Sequence, residues 1–341
     1  MRIRRSACGA VSRSRQPILL PAFAVALSLI SVDPGVFAAP ANAATDFSTI
    51  VFPDQSHSAV YDFIDSATSS IDITMYELRD DTAVGDLVRK QQAGIAVRVI
   101  LDGAHQSVNN AAYTTLANAG AAVTWSTSAF VYTHQKTITV DHGRSLIMSG
   151  NLDSTYYADD RDYGVFDADR ADVDAIEQVF DADFAQNPGT PSDGDNLVWS
   201  PTDAESRLLG LINGAQHSLD VEELEFGDST LVNAIADAAR RGVTVRVVGM
   251  NPDSYRDQFD QVQAAGGQIV TYSASGGTYI HAKAIVADYG TATAKVFVGS
   301  ENFSDNSLNH NRELGLIVGD SGVLSTVENT FATDFANGTP Y

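Results

Sequence analysis

Two short runs in this sequence carry an imidazole and an ammonium at the same spacing. The first is Thr133-His134-Gln135-Lys136-Thr137-Ile138-Thr139-Val140-Asp141, and the second is Ile280-His281-Ala282-Lys283-Ala284-Ile285-Val286-Ala287-Asp288. Both are rich in strand formers, and strand side chains alternate faces with period two. His134 and Lys136 therefore share a face, as do His281 and Lys283. A second segment follows each run: Met148-Ser149-Gly150-Asn151 and Gly299-Ser300-Glu301-Asn302, where serine and asparagine again stand two apart. A third lies ten residues past each asparagine, Arg161-Asp162 and Arg312-Glu313. Each set supplies a histidine, a lysine, a hydroxyl, an amide and a carboxylate in one order.

Such a pair of sets suits a phosphodiester, whose phosphorus is anionic and poorly electrophilic. Lysine and asparagine donors hold the non-bridging oxygens and stabilise the pentacoordinate charge. One neutral imidazole attacks phosphorus while the other, protonated, gives its proton to the departing oxygen. A carboxylate on the far ring nitrogen fixes each tautomer. The arrangement calls for no metal and no cofactor. Arg161 and Arg312 are read as further cations for the anionic group.

The elements that must position these groups form an internal duplication. Ser70–Asp80 aligns with Ser218–Asp228, Pro53 with Pro201, and Gly94-Ile-Ala-Val-Arg-Val with Gly242-Val-Thr-Val-Arg-Val. Periodicity predicts helices over 59–66, 83–93, 205–212 and 231–241, and strands over 71–78, 96–101, 219–226 and 243–248. Alternating strands and helices predict an α/β protein of two tandem duplicated α/β/α sandwich domains. Residues 44–187 form the first, a Pro/Gly/Asp-rich segment at 188–196 the linker, and residues 197–341 the second. The second half carries four extra residues between His281 and Asn302, placed in a hairpin turn at Gly290–Ala294.

Composition bounds what the duplicated unit can do. The chain has 341 residues, 21 Lys+Arg against 43 Asp+Glu and a formal charge of −22. Sequence-independent nucleic-acid binding needs cations against phosphates, so the acid excess disfavours nucleic acid. Residues 1–43 read as a signal peptide: Arg2, Arg4, Arg5, Arg13 and Arg15 precede a short apolar run from Ile18 to Ile30, and Ala41-Asn42-Ala43 supplies a cleavage site. Cleavage there removes Cys8, the single cysteine, and moves the charge to −26, since five arginines and one carboxylate (Asp33) depart. A secreted protein without a thiol is expected.

With these residues in view, the chain resembles the phospholipase D superfamily, whose signature is His-x-Lys-x4-Asp followed by Gly-Ser-x-Asn. His134-x-Lys136-x4-Asp141 and His281-x-Lys283-x4-Asp288 match the first element in full. Met148 replaces the glycine of the second element in the first half, which predicts a less close backbone approach near Ser149. The resemblance implies one active site at the pseudo-two-fold interface and a covalent phosphohistidine on His134, with His281 as acid and then base. It implies that Lys136, Lys283, Asn151 and Asn302 grip the phosphoryl group. Ser149, Ser300, Asp162 and Glu313 support them, Asp162 by bonding His134, the histidine of its own half, and Asp141 and Asp288 are structural.

The leading function is hydrolysis of a glycerophospholipid headgroup ester, with possible transfer to an alcohol. It implies transient contact with a membrane surface and a monomeric enzyme. A nuclease using the same two histidines is the alternative, and a silent lipid-binding protein a third. A cardiolipin-synthase-like transferase lacks support from membrane helices or a basic amphipathic surface. Tyr132 and Tyr279, two residues before each histidine, are placed at the substrate mouth or the domain interface. Gly276-Gly277 permits close approach of a headgroup or forms a plain turn. Glu222, Glu223 and Glu225 are assigned to the cleft or to a solvated edge. Asp167, Asp169, Asp172 and Asp174 read as a solvated helix start, and His57, His105, His142, His217 and His310 as surface or loop residues.

Overall fold

A computed structural model describes residues 46–341; the expected signal peptide, residues 1–43, lies outside the described residues. The first repeat runs β1 (Phe47–Phe52), α1 (Ser58–Asp65), β2 (Ser70–Met75), α2 (Asp81–Gln92), β3 (Ala96–Leu101), α3 (Gln106–Asn118), β4 (Ala122–Trp125), β5 (Lys136–Val140), β6 (Arg144–Met148), β7 (Asp160–Asp167) and α4 (Arg170–Phe184). The second runs β8 (Leu197–Ser200), α5 (Ala204–Gly214), β9 (Ser218–Glu223), α6 (Ser229–Arg240), β10 (Thr244–Met250), α7 (Arg256–Ala264), β11 (Gln268–Tyr272), β12 (Tyr279–Ile280), β13 (Lys283–Ala287), β14 (Lys295–Gly299), α8 (Asp305–Asn309), β15 (Glu313–Val318), α9 (Ser321–Asn337) and β16 (Thr339–Pro340). No described helix is long and apolar enough to cross a membrane.

The first sheet has the order β1-β7-β6-β5-β2-β3-β4, and the second repeats it as β8-β15-β14-β13-β9-β10-β11, with β16 on its edge. In each sheet the strands joined by helices pair in parallel, and the hairpin-connected ones pair antiparallel. This is the expected tandem α/β architecture. The helices start where aspartates cap them. Asp80 accepts the N–H groups of Thr82 and Ala83 (2.8 and 3.1 Å), and Asp228 that of Leu231 (2.8 Å). Asp169 and Asp320 do the same for α4 and α9. Each such cap is worth about 1 kcal/mol.

Three apolar clusters order the layers. The outer face of the first sheet packs on α1, α2 and α3 through residues such as Val60, Leu87 and Leu116. The outer face of the second packs on α5, α6 and α7 through Leu208, Ile235 and Phe259. The third cluster joins the two repeats, bringing Val165, Ile176 and Val179 against Trp199, Val298, Val327 and Phe331. The acidic run at the start of α4 is solvated only in part, with Asp174 exposed. Asp167 and Asp172 are fully buried, and Asp172 accepts the N–H groups of Asp195 and Asn196 (2.7 and 3.0 Å), pinning the inter-repeat segment.

Exchanged contacts bind the repeats. β12 leaves the second sheet and pairs in parallel with β7 of the first, and Thr133 bridges Arg312 at the symmetry-related place. Arg161 donates to both oxygens of Asp334 in α9 (2.6 and 3.1 Å), and Arg312 to both oxygens of Asp183 in α4 (2.9 and 3.2 Å). All four side chains are nine-tenths buried or more. The arginines are therefore interface pins rather than cations for a phosphate, correcting the sequence reading. Arg161→Ala strands Asp334 in the interior and is expected to cost about 3–5 kcal/mol. The denaturant midpoint of unfolding measures this. A shift worth under about 1 kcal/mol, the range of exposed pairs, would contradict the assignment.

Candidate active site

The catalytic candidates sit where the exchanged segments meet. The N–H groups of His134 and Gln135 both donate to the Arg312 carbonyl (2.9 and 3.1 Å), and that of His281 to the Arg161 carbonyl (3.2 Å). Each His-x-Lys backbone is thus hung on the opposite repeat. The residue after each arginine carries the carboxylate, so the carboxylates also cross over. His134 Nδ1–H donates to Glu313 Oε2 (2.7 Å), and His281 Nδ1–H donates to Asp162 (2.9 and 3.1 Å). The sequence reading of Asp162 as the partner of His134 is corrected. The reason is topological: a strand edge from the other repeat lies closer to each histidine than its own repeat's third segment.

The two carboxylates differ in length because their surroundings differ. Asp162 lies against Gly150, where a Cβ would stand 2.6 Å from Asp162 Oδ2, and it accepts the Ser149 hydroxyl (2.6 Å). In the second repeat the place of Gly150 is taken by Glu301, whose buried carboxyl is cradled by Gly299 and Gly315. Glu313 reaches past it, accepting the Ser307 hydroxyl (2.7 Å) and Asn311 Nδ2–H (3.0 Å). Ser300 instead takes the Leu314 N–H (3.2 Å). Ser307 and Asn311 lie off the repeated motif, so alignment of the halves carries no signal for them.

The lysines stand behind the histidines, almost wholly buried, each donating to the carbonyl of the histidine two residues before it. Lys136 Nζ lies 4.9 Å from the Tyr76 ring centre, and Lys283 Nζ 3.4 Å from the ring nitrogens of His281. Asp141 and Asp288 stand apart from this cluster in left-handed backbone (φ 54° and 56°). Asp141 accepts the N–H groups of Thr68, Ser69 and Ser70, and Asp288 those of Gln216, His217 and Ser218. They fasten the ends of β5 and β13 to the starts of β2 and β9.

Burial sets the charge states. It pulls the His134 imidazole down to about 4 against the opposing pull of Glu313, and it lowers His281 against that of Asp162. Burial also lowers Lys136 to about 7. Asp162 and Glu313 are pushed up by burial, yet the imidazoles and lysines beside them hold both below their ordinary values. The result is two neutral imidazoles on ionised carboxylates. Glu301 is held well above the usual carboxylate range by burial and by Glu313.

A cavity of about 540 Å³ opens over this cluster, lined by His134, His281 and Asn151 from the motifs. With both Nδ1 atoms on carboxylates, the two Nε2 atoms are the nitrogens left for a substrate. Among the described residues, the buried Oδ1 atoms of Asn151 and Asn302 have no hydrogen-bond partner. The rest of the wall includes Tyr76, Glu77, Tyr156, Asp159, Asp160, Gly277 and Tyr279. Tyr279 thus joins the cavity, whereas Tyr132 packs on Tyr76 and His105.

Several residues read otherwise from sequence belong here. His105 accepts or donates at the Tyr76 hydroxyl (3.3 Å), and Tyr76 stacks edge-on to His134 at 4.5 Å. His57 is stacked between Phe52 and Tyr157 rather than free on the surface. Glu222 and Glu223 line neither a cleft nor a solvated edge: both are fully buried, and Glu222 accepts the Tyr163 hydroxyl (2.6 Å). Two triads have the spacing to hold a cation, Asp160–Asp162–His281 and Asp72–His142–Glu177. In the first, Asp162 and His281 already satisfy one another; in the second, Arg98 donates to both oxygens of Asp72.

Comparison with known proteins adds to this geometry. A family model described as cardiolipin synthase, PLD-like domain, matches residues 60–184 and 208–335, one copy in each repeat. A mitochondrial cardiolipin hydrolase of Xenopus laevis is 33% identical over 137 residues, which cover 38% of this chain and 59% of that protein. The match therefore spans little more than half of that relative. A phosphatidylserine synthase of Haemophilus influenzae Rd KW20 superposes with a TM-score of 0.68 at 11% identity, covering 87% of each chain. A polyphosphate kinase of Porphyromonas gingivalis superposes with a TM-score of 0.67 at 16% identity, covering 84% of this chain and 50% of that one. At these identities the two structures speak for the fold alone.

Proposed function

The chain belongs to the phospholipase D-like family, in both of its repeats, and from that premise we propose that it is a secreted phosphodiesterase acting on the headgroup ester of glycerophospholipids. The observation that carries the reading is the pair of imidazoles lining one cavity, each with Nδ1 on a buried carboxylate from the opposite repeat. His134 Nε2 attacks phosphorus and the bond from phosphorus to the alcohol oxygen breaks. His281, which takes up a second proton at Nε2 from solvent as the substrate binds, gives that proton to the departing oxygen while its Nδ1–H stays on Asp162. His281, now neutral, takes a proton from water, whose oxygen attacks phosphorus; the P–N bond breaks and phosphatidate leaves. An alcohol in place of water gives phosphatidyl transfer. Lys136, Lys283, Asn151 and Asn302 hold the non-bridging oxygens through both steps.

Phospholipid is favoured over nucleic acid because the cavity wall carries Glu77, Asp159 and Asp160, in a chain of charge −22. A polyanion would meet repulsion along any path it tracks. Secretion rests on the sequence of residues 1–43, and a monomer making transient contact with a lipid surface completes the reading. Phosphatidylcholine vesicles, DNA and bis(p-nitrophenyl) phosphate assayed side by side test it. Turnover of the vesicles and the small diester is expected; DNA cleavage without lipid turnover would reverse the assignment.

Charge states predict the pH profile. His134 must be neutral to attack, so kcat/KM falls as pH drops through its value of about 4. Lys136 must be charged to hold the phosphate, so kcat/KM falls again as pH rises through about 7. With bis(p-nitrophenyl) phosphate, whose leaving group needs no acid, the free-enzyme profile should peak on the acid side of neutrality. A maximum above pH 8 would contradict these assignments.

A further inference from the structure

The carboxylates that serve the two histidines are supported unequally. Glu313 accepts the Ser307 hydroxyl (2.7 Å) and Asn311 Nδ2–H (3.0 Å) besides the His134 ring. The offset that matches Asp162 with Glu313 puts Tyr156 and Asp160 in the places of those two donors. Asp162 Oδ1 accepts the Ser149 hydroxyl (2.6 Å) and shares the His281 Nδ1–H, whereas Oδ2 has only that N–H (3.1 Å) among the described residues. Oδ2 lies on the side of Gly150, where a Cβ would stand 2.6 Å from it. Asp162 thus has one donor fewer than Glu313, although each must stay ionised in the interior.

A cavity of about 20 Å³ lies against Asp162, distinct from the one over the histidines, with Gly150, Asn151 and His57 also in its wall. Asn151, Tyr156 and Asp160 line both cavities and form the partition between them. The small one has room for about one water, which is stable there with about three polar partners. Asn151 Oδ1, buried and without a hydrogen-bond partner among the described residues, is the first. Asp162 Oδ2 is the second, and His57 brings the third. Phe52 and Tyr157 cover the two faces of its ring, with centroids 4.0 and 3.3 Å away, so the edge bearing the nitrogens is what reaches the cavity. Tyr157 is itself fixed by donating to Asp80 (2.7 Å). His57 holds the N-cap place of α1 but makes no capping bond. Burial pulls its imidazole down to about 4 against the pull of Asp80 and Asp162, so the ring is neutral, with one N–H to give.

Resting on the two-histidine reading above, we propose that His57, Asn151 and Asp162 bind one fixed water in this cavity, and that His57 is through it a positioning residue for the Asp162–His281 pair. The water accepts the His57 N–H and donates its two hydrogens to Asn151 Oδ1 and Asp162 Oδ2. It gives Asp162 the further donor that Glu313 has from Ser307 and Asn311. His281 activates water in the second chemical step, so an Asp162 without this support slows hydrolysis of the intermediate. Release of p-nitrophenol needs no acid, which spares the first step.

His57→Phe keeps both stacking contacts and removes the N–H. Magnetic relaxation dispersion of the solvent counts long-lived internal waters and should find one fewer in this variant than in the wild-type protein. With bis(p-nitrophenyl) phosphate its first turnover should stay within about twofold of wild type while the steady state falls about tenfold, the worth of a hydrogen bond to a carboxylate. His57→Gln offers an N–H again and should keep the water and recover the steady state to within about threefold. An unchanged water count in His57→Phe overturns the site. A lost water with first and later turnovers slowed alike, or with neither slowed, overturns the positioning role. A lost water in a protein that turns over no diester sustains the site and defeats the two-histidine reading instead.

Discussion

His134→Ala is expected to lower diester turnover by roughly 10⁴-fold or more, the scale seen when a covalent nucleophile is lost. The other nucleophile candidates among the described residues of the motifs are held elsewhere. His281 is held on the opposite side by Asp162, and both lysines are buried behind the histidines with their Nζ atoms on backbone carbonyls. The variant should remain folded, since the exchanged arginine–aspartate pairs and the core shared by the repeats do not involve the imidazole. Unchanged denaturation beside lost turnover of bis(p-nitrophenyl) phosphate is the expected pair of results. A loss under about tenfold would remove His134 from the attacking role.

The crossed carboxylates give the second large effect, and its form depends on which histidine each one serves. Glu313→Gln deprives His134 of its anionic partner and should slow formation of the intermediate by about 10²–10⁴-fold, with no burst of nitrophenol. Asp162→Asn acts on His281, whose acid role p-nitrophenol does not need. Its first turnover should stay fast while hydrolysis of the intermediate slows, giving a burst near one equivalent per enzyme followed by a slow steady state. Stopped-flow absorbance reads both. A burst in Glu313→Gln and none in Asp162→Asn would restore the wiring within each repeat that the sequence alone suggests.

That wiring shows where sequence reasoning reaches and where it stops. The repeated His-x-Lys and Ser-x-Asn runs, and the helix and strand periods around them, place β5, β6, β13 and β14 because local pattern dictates local structure. An internal duplication also foretells two sheets of one topology. It cannot tell whether repeats exchange segments, because β12 pairing with β7 is a contact between distant parts of the chain. Everything routed through that exchange escapes the sequence: the bond of Asp162 to His281, and the locking of α9 and α4 by Arg161 and Arg312. Ser307 and Asn311 answer to Tyr156 and Asp160 in the first repeat, so no repeated residue type marks them. The burial of Glu222 is set by the interface as well, where it accepts the hydroxyl of Tyr163 from the other repeat.

The account turns on a covalent bond between phosphorus and His134, and one mass measurement addresses it directly. In His281→Asn the group that activates water is gone, so the intermediate should accumulate once the first product has left. After brief exposure to bis(p-nitrophenyl) phosphate, the intact protein should gain one nitrophenyl phosphoryl group. Peptide mapping should place it on His134, labile to acid and absent from His134→Ala/His281→Asn. Continued multiple turnover with an unmodified protein, or an adduct on any residue other than His134, would contradict the mechanism.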